Sequence, residues 1–282
     1  MPTQIEPAVL NALIATGSVK VIDGSMPPVG VAEPVDVHAF YLREHIPGAV
    51  FFDIDRNSDH ASPLPHTLPA PEVLAESFGH MGIGDKDHVV VYDRDGLFSA
   101  ARVWWMFCIM GHQNIQILRG GLPAWKAAGL PVSAIVPTPV PTHYVPHFKA
   151  DMVMDLNDLR EDINAGGALI LDARSGARFR AEVSEPRAGL RSGHMPGAKS
   201  LPFTELQRNG ALLPRDELAA RFADVGLKDG QKAITTCGSG ITAAVISLAL
   251  EEIGHTPSIL YDGSWAEWGQ STLDTPVVTG AE

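Results

Sequence analysis

The stretch His194-Met195-Pro196-Gly197-Ala198 decides the fold, because a second copy, His45-Ile46-Pro47-Gly48-Ala49, stands 149 residues earlier. Each copy follows a short apolar run that ends in aspartate, at Asp23 in the first half and at Asp172 in the second. A further block matches at an offset of 143 residues, so that Trp125 corresponds to Trp268. Repetition on this scale indicates a duplicated domain. The change of six residues in offset fits an insertion in the first half, within residues 59–70.

Each half alternates runs typical of strands with runs typical of helices. In the first half, strands are predicted at residues 19–23, 50–52, 88–92 and 115–118, and helices at 35–43, 71–81 and 100–111. In the second half, strands are predicted at 168–171, 232–236 and 258–261, and helices at 216–225 and 242–253. This alternation predicts an α/β fold with two domains, each a mostly parallel sheet flanked by helices. We place the domains at residues 8–130 and 151–277, joined by a proline-rich linker at 131–150.

The composition argues against nucleic-acid-binding, membrane-spanning and disulfide-stabilised classes of protein. Lys and Arg number 21 against 33 Asp and Glu, a net charge of −12, which argues against nucleic acid or an anionic membrane as partner. No apolar run reaches the roughly 18 residues of a membrane helix. Residues 1–6 lack the pattern of a secretory signal. The only cysteines are Cys108 and Cys237, too few for a disulfide framework, so we predict a reducing, cytoplasmic location.

The chain is expected to need neither a metal nor a cofactor. His143 and His147 have the spacing of metal ligands but lie in the linker. No phosphate-binding loop or dinucleotide fingerprint is present. His45 and His194 occur once in each repeat, which indicates a structural role in a turn. Cys108 falls in an apolar helical run and is expected to be buried and inert.

The predicted site is centred on Cys237, where a β-branched strand run meets the turn Gly238-Ser239-Gly240 and a following helix. Such a turn directs backbone N–H groups and the positive end of the helix at one concavity, which favours a thiolate. We interpret Cys237 as a nucleophile at the solvent-accessible mouth of a crevice at the strand ends. A cysteine packed at the end of its strand is the alternative. At an offset of 143 its counterpart is Arg94, so only the second half can perform cysteine chemistry here.

The paired His-x-Pro-Gly-Ala segments and the loop at 237–242 resemble those of the tandem rhodanese-domain sulfurtransferases, from about residue 8 to 276. The loop is similar to that of the members that use 3-mercaptopyruvate. The resemblance implies two rhodanese-like domains, the first catalytically inactive. It implies that Cys237 takes sulfane sulfur from 3-mercaptopyruvate as a persulfide, releases pyruvate, and passes the sulfur to a thiol such as thioredoxin or to cyanide. Its substrate-binding loop residues would be Gly238, Gly240, Ile241 and Thr242.

The same resemblance assigns a proton-handling role to Ser239, Asp55 and His66. Because Asp55 and His66 belong to the first half, the site would lie between the domains. Taken singly, Asp55 could instead cap a helix or turn, and His66 could be an ordinary loop histidine.

The loop itself carries no basic side chain, so a carboxylate substrate needs a cation from elsewhere, preferably a bidentate guanidinium. By resemblance the candidates are Arg178 and Arg187. The alternative for both is a surface ion pair with Glu182 or Glu185. Arg174 and Arg191 stand close enough in sequence to compete for the assignment.

Other functions compete with this prediction. A thiosulfate sulfurtransferase would use the same fold and persulfide. A phosphatase built on a rhodanese-like domain would need arginine six residues after the cysteine, where this chain has Ala243. A non-enzymatic sulfur carrier or regulatory module would need no turnover at Cys237.

Overall fold

The computed structural model describes residues 2–28, 35–256 and 258–281, so Met1 of the predicted leader-free N-terminus lies outside the described part. The chain forms two compact units. The first contains residues up to 59, residues 68–149 and residues 209–211, and the second contains residues 60–67, 150–208 and those from 212 onward. The predicted limits, with one linker at residues 131–150, instead place residues 60–67 in the first domain and residues 209–211 in the second.

The first unit is built on a five-stranded sheet. Its strands are β1 (Gln4–Ile5), β2 (Lys20–Asp23), β3 (Val50–Phe51), β4 (Val89–Tyr92) and β5 (Ile115–Leu118), and its helices are α1 (Pro7–Ala15), α2 (Val37–Arg43), α3 (Pro71–His80), α4 (Ala100–Ile109) and α5 (Gly121–Ala127). The strand order is β1-β5-β4-β2-β3, and every paired neighbour runs parallel.

The second unit repeats this plan. Its sheet contains β6 (Val153–Met154), β7 (Leu169–Asp172), β8 (Lys199–Ser200), β11 (Ala233–Thr236) and β12 (Ser258–Tyr261), while β9 (Gln207–Arg208) and β10 (Ala211–Leu212) form a separate ribbon. The helices are α6 (Leu156–Ala165), α7 (Gly176–Phe179), α8 (Arg215–Asp224), α9 (Ala243–Ile253) and α10 (Ser264–Trp268), with 3₁₀ turns at Ala150–Met152 and Phe203–Leu206. The order β6-β12-β11-β7-β8, all parallel, is that of the first sheet with each strand replaced by its counterpart. The predicted α/β fold is confirmed.

Continuous apolar runs explain the central elements of each unit. The residues of β4 and β11 are buried throughout, as expected for central strands of a parallel sheet covered on both faces. The helices that follow them, α4 and α9, are largely apolar and buried over most of their length. In each unit, the loop between the central strand and the central helix is therefore anchored at both ends by buried elements.

The repeated tryptophans and histidines lie in equivalent structural positions. Trp125 and Trp268 are buried and donate indole N–H bonds to the carbonyl oxygens of Pro131 and Pro276, at 2.7 and 2.8 Å. His45 and His194 are also fully buried, with Nδ1 2.7 Å from the oxygen of Tyr41 and 2.9 Å from that of Phe179, respectively. These contacts join a helix to a neighbouring loop at equivalent places in the two units.

Two further observations bear on the predictions made from the sequence. Among the described residues, none of the helices combines the length and apolarity needed to cross a bilayer. Cys108 was expected to be buried, and this is wrong: it is half-buried, and it is the one residue of α4 that is not buried.

Candidate active site

The loop that carries Cys237 is fixed by its backbone. The strand β11 ends at Thr236 and α9 begins at Ala243, so residues 237–242 form the turn between them. The carbonyl oxygen of Cys237 accepts a hydrogen bond from the N–H of Trp265 at 2.9 Å, and that of Gly238 accepts one from Ala266 at 2.9 Å. The N–H of Cys237 donates to Oγ of Ser264 at 3.2 Å. The start of α10 therefore clamps the first two residues of the loop.

The expected exposure of Cys237 is not observed. The residue is only 2 % exposed, and its backbone is hydrogen-bonded to the start of α10. In this respect the structure agrees with the alternative of a cysteine packed at the end of its strand. Burial of the thiol leaves open whether the surrounding amides face an anion, which is the other half of the sequence prediction.

The loop amides have an arrangement suited to an anion. Among the described residues, the N–H groups of Gly238, Ser239 and Ile241 donate to no protein acceptor. Gly240 has a φ of 80°, a left-handed conformation that glycine adopts without strain and that allows the chain to curl around the strand end. Successive N–H groups in such a curl form a concavity that binds anions.

The first unit reveals what this position in the fold holds. Strand pairing sets Tyr92 against Asp23 and Thr236 against Asp172, so the central strands correspond at an offset of 144 rather than 143. The N–H of Leu122 donates to the carbonyl oxygen of Asp93, as that of Trp265 does to Cys237. The counterpart of Cys237 is therefore Asp93. The assignment of Arg94 was wrong because the loop of the first unit is one residue longer.

The carboxylate of Asp93 is bound by the amides of its own loop. Its Oδ1 accepts from the N–H of Asp95 at 3.0 Å, and its Oδ2 accepts from those of Phe98 and Ala100 at 2.8 and 2.9 Å. Burial raises the pKa of Asp93, although these bonds oppose the rise. Arg94 turns away, and its guanidinium lies 4.0 Å from the centre of the Phe40 ring. In the first unit, an acidic side chain thus occupies the place that the Cys237 side chain holds in the second.

His66 and Ser239 are brought together. Nδ1 of His66 lies 2.9 Å from Oγ of Ser239, and both residues are buried. His66 was predicted to belong to the first domain, but segment 60–67 belongs to the second unit. The hydrogen bond to Ser239 explains this placement, and His66 has a left-handed φ of 60°. The six-residue insertion noted in the sequence falls in the region of this segment.

The predicted substrate arginines both lie beside the loop. A Cβ atom added at Gly238 would be 3.1 Å from Nη2 of Arg178 and 3.7 Å from Nη1 of Arg187. Nη2 of Arg187 also donates to Oγ of Ser239 at 3.4 Å. A side chain at position 238 would therefore crowd the Arg178 guanidinium, which would have to shift by a few tenths of an ångström.

The alternative of an ion pair holds for Arg178, although the pair is not at the surface. Nε and Nη2 of Arg178 donate to the two carboxylate oxygens of Glu185 at 3.1 and 2.5 Å, and the Glu185 side chain is 1 % exposed. Glu182 instead pairs with Arg180 in solvent. Glu185 therefore already occupies one bidentate edge of the Arg178 guanidinium.

The two competing arginines have other partners. Arg174 is buried between Asp172 and Glu185, and its guanidinium lies 4.2 Å from the centre of the Trp265 ring. Burial alone would lower the pKa of Arg174, but the charges of these two acids outweigh it and raise the pKa. Arg191 donates to the carbonyl oxygens of Trp268 and Thr275 at 2.9 and 2.7 Å. Both serve the structure of the second unit.

A cleft of about 330 Å³ adjoins this cluster within the second unit. It is lined by Pro63, Leu64, Pro65, Arg187, Ala188, Gly189, Leu190, Ala266, Gln270, Ser271 and Thr272. The cleft reaches the loop through Arg187 and Ala266, which contact Ser239 and Gly238. Its size suits a small molecule.

Three predicted site residues remain to be placed, namely Asp55, Ile241 and Thr242. Asp55 lies in the first unit, where its carbonyl oxygen accepts from the N–H of Ser58 at 3.2 Å. Ile241 is buried, and Thr242 precedes α9 without a side-chain capping bond.

The described residues contain no group of three or more His, Cys, Asp or Glu side chains placed to hold a metal ion.

Comparison with known proteins agrees with this geometry. The rhodanese-like domain family matches residues 6–128 and 155–271. The chain belongs to the rhodanese-like domain family. It is 44 % identical over 259 residues to 3-mercaptopyruvate sulfurtransferase of Escherichia coli strain K12, covering 92 % of each chain. It is 36 % identical to thiosulfate/3-mercaptopyruvate sulfurtransferase 1 of Arabidopsis thaliana, covering 95 % of this chain and 76 % of that one.

A solved structure supports the same relationship. The crystal structure of SseA from Escherichia coli, described as having the rhodanese fold of 3-mercaptopyruvate sulfotransferases, matches with a TM-score of 0.86 and 40 % identity. The match covers 94 % of this chain and 99 % of that one. The duplicated domain predicted from the repeats and the tandem rhodanese-like architecture implied by the resemblance are both confirmed.

Two features of the second rhodanese-like unit were not predicted from the sequence. Glu185 was considered only as a surface partner, and Ser264 was not considered. A signal for Ser264 existed: at an offset of 143 it corresponds to Gly121, so one repeat carries a hydroxyl where the other has glycine. Burial of Glu185 had no comparable signal, because it depends on the packing of Arg174 against Trp265.

Proposed function

We propose that the protein is a 3-mercaptopyruvate sulfurtransferase in which Cys237 carries the sulfur as a persulfide. The observation that carries the proposal is the equivalence of Asp93 and Cys237 in the two units. Where the first unit binds a carboxylate with three loop N–H groups, the second has a thiol and a loop whose amides at Gly238 and Ile241 have no acceptor among the described residues. Such a cradle stabilises a thiolate before transfer and the anionic outer sulfur after it.

The first half-reaction breaks the C–S bond of the donor. The thiolate of Cys237 attacks the sulfur of 3-mercaptopyruvate, a sulfur–sulfur bond forms, and the electron pair of the C–S bond passes to the carbon as an enolate. Protonation of that carbon gives pyruvate. The donor carboxylate would be held by Arg187 and by the edge of Arg178 that Glu185 leaves uncovered. The amides of Gly238, Gly240, Ile241 and Thr242 would line the sulfur-binding side.

Proton transfer is assigned to Ser239 and His66. Oγ of Ser239 accepts from Arg187 and lies against Nδ1 of His66, so its proton can move along a defined path. We propose that Ser239 supplies the proton to the enolate and regains one through His66. Asp55 is proposed as the acid of the same set, on the strength of the family resemblance alone.

The second half-reaction returns Cys237 to its thiolate. A thiolate acceptor, or cyanide, attacks the outer sulfur, and the bond between the two sulfurs breaks with its electron pair remaining on Cys237. We propose a thiol such as thioredoxin, or cyanide, as the acceptor, and a cytoplasmic location for the protein. Ping-pong kinetics are expected from the covalent step.

The decisive experiment is the intact mass of the protein after mixing with 3-mercaptopyruvate. A gain of about 32 Da, reversed by dithiothreitol, is expected from one added sulfur. It should be absent from Cys237→Ser, and pyruvate should appear in step with it. Persulfide-free wild-type protein that forms no pyruvate would support a carrier or regulatory role instead.

A further inference from the structure

Four charged side chains form a continuous row behind the loop. Nη2 of Arg174 contacts Asp172 at 2.6 Å, Nη1 of Arg174 contacts Glu185 at 3.0 Å, and Nη2 of Arg178 contacts Glu185 at 2.5 Å. The first three side chains are at most 1 % exposed, whereas Arg178 is 22 % exposed and reaches the site. The formal charges alternate and cancel. Arg178 therefore stands beside the loop with its charge balanced by a buried carboxylate.

Glu185 has two effects on what can bind next to Gly238. It occupies the Nε and Nη2 edge of Arg178, so a substrate can reach this guanidinium only at its outer end. It also places a full negative charge, poorly screened by solvent, close to where a donor anion and the thiolate of Cys237 must meet. Each additional negative charge on the donor is penalised by that carboxylate.

The two candidate donors differ in this respect. At neutral pH 3-mercaptopyruvate carries one negative charge on its carboxylate, and thiosulfate is a compact dianion. We propose that Glu185 is a specificity-determining residue that selects monoanionic over dianionic sulfur donors by balancing the charge of Arg178. This inference rests on the proposed function, and it explains the choice of donor by a residue outside the loop that carries the nucleophile.

The test compares kcat/KM for 3-mercaptopyruvate and thiosulfate in Glu185→Gln, with cyanide as the acceptor for both donors. Glutamine keeps the size of the side chain and removes its charge. The kcat/KM for thiosulfate divided by that for 3-mercaptopyruvate should rise roughly tenfold, since one unit charge near the donor is lost. Glu182→Gln is the matched control, because it removes an equivalent charge from the exposed pair with Arg180 three residues earlier. Its ratio should equal that of the wild type.

A conservative variant separates charge from packing. Glu185→Asp retains the negative charge with a shorter reach, so its donor ratio should stay within about twofold of the wild type even if both rates fall. An unchanged ratio in folded Glu185→Gln, or an equal shift in Glu185→Asp, would overturn the proposal.

If Glu185→Gln does not fold, a second pair of variants tests the role of Glu185. In Arg178→Gln the negative charge of Glu185 is no longer balanced by Arg178. The double variant Arg178→Gln/Glu185→Gln also removes that negative charge. The ratio of thiosulfate to 3-mercaptopyruvate should rise from the single to the double variant, and no rise would refute the role of Glu185. Wild-type protein that uses neither donor would contradict the proposed function itself, whereas a wild type active with 3-mercaptopyruvate isolates the question of Glu185.

Discussion

Ser264 accepts a hydrogen bond from the backbone N–H of Cys237 at 3.2 Å, although its own backbone is left-handed, with a φ of 49°. The equivalent residue of the first unit is Gly121, with a φ of 56°. A non-glycine residue in this conformation is strained, by about 1–3 kcal/mol. The second unit tolerates this strain at the position where a hydroxyl reaches the backbone of the predicted nucleophile, which indicates a positioning role.

Replacing Ser264 by glycine should uncouple stability from activity. Glycine relieves the backbone strain and removes the hydrogen bond, so the Tm should stay near that of the wild type while kcat falls about tenfold. Ser264→Ala loses the bond and keeps the strain, and should unfold at a lower temperature than the glycine variant. Ala181→Gly, which relieves a φ of 65° elsewhere in the second unit, is the control and should leave kcat unchanged. Equal kcat in Ser264→Gly and wild type would argue against positioning.

Aspartate at position 237 should be accepted by the loop of the second unit. Cys237→Asp places a carboxylate where Asp93 stands in the first unit, and the loop N–H groups should bind it. We expect its Tm to exceed that of the neutral, isosteric Cys237→Asn by about 2–4 °C, because charge-assisted hydrogen bonds are the stronger ones. Both variants should be inactive. A lower Tm for the aspartate variant would mean that the loop does not stabilise an anion.

The bond between His66 and Ser239 should matter for turnover. Asparagine adopts left-handed backbone more readily than most residues, so His66→Asn should preserve the φ of 60° and remove the imidazole. We expect kcat to fall about 10²-fold, in keeping with loss of a general acid–base group, with a smaller change in KM. His60→Asn, in the same segment, should behave as the wild type. Retention of full activity by His66→Asn would remove His66 from the mechanism.

The stability of the first unit should fall as the solution becomes acidic, in part through His112. Burial lowers the pKa of His112, whose Nε2 lies 2.8 Å from the carbonyl oxygen of Asp87 and whose Nδ1 lies 3.2 Å from the hydroxyl of Tyr144. The unfolded chain therefore takes up a proton at this histidine at a higher pH than the folded chain does. The free energy of unfolding should decline as the pH drops below about 6.5, the ordinary pKa of histidine.

Urea unfolding between pH 5 and 8 measures this effect. His112→Gln should show a shallower decline toward low pH than the wild type, while the exposed His143→Gln should show the same decline. Parallel curves for His112→Gln and wild type would exclude His112 as the source.

Repeats and hydrophobic patterns were sufficient to predict the fold. The strand-like runs at residues 88–92 and 232–236 correspond to β4 and β11, and the loops that follow them are where Asp93 and Cys237 lie. The pairing of the two loops was off by one residue, since a difference in loop length leaves no trace in an ungapped comparison. Strand register, which depends on hydrogen bonds between distant segments, resolves it.

The candidate site was predicted less completely than the fold. Residue types and spacing led to Cys237, whereas Ser239 and the two arginines were implied by the resemblance to the rhodanese-domain sulfurtransferases. The structure gathers these residues around Gly238. Burial of Cys237 was considered only as an alternative, and burial of Glu185 was not predicted, because it depends on contacts with Arg174 and Arg178 that the sequence does not specify. The position of His66 likewise depends on where a proline-rich segment runs in space.

Segment 60–67 has a consequence for the history of the chain. A newly duplicated gene encodes two interchangeable copies, either of which could be lost or expressed alone. Here the histidine that bonds to Ser239 is encoded in the earlier copy, so a fragment beginning at the linker would lack it. The second repeat alone therefore does not encode every segment of the second compact unit.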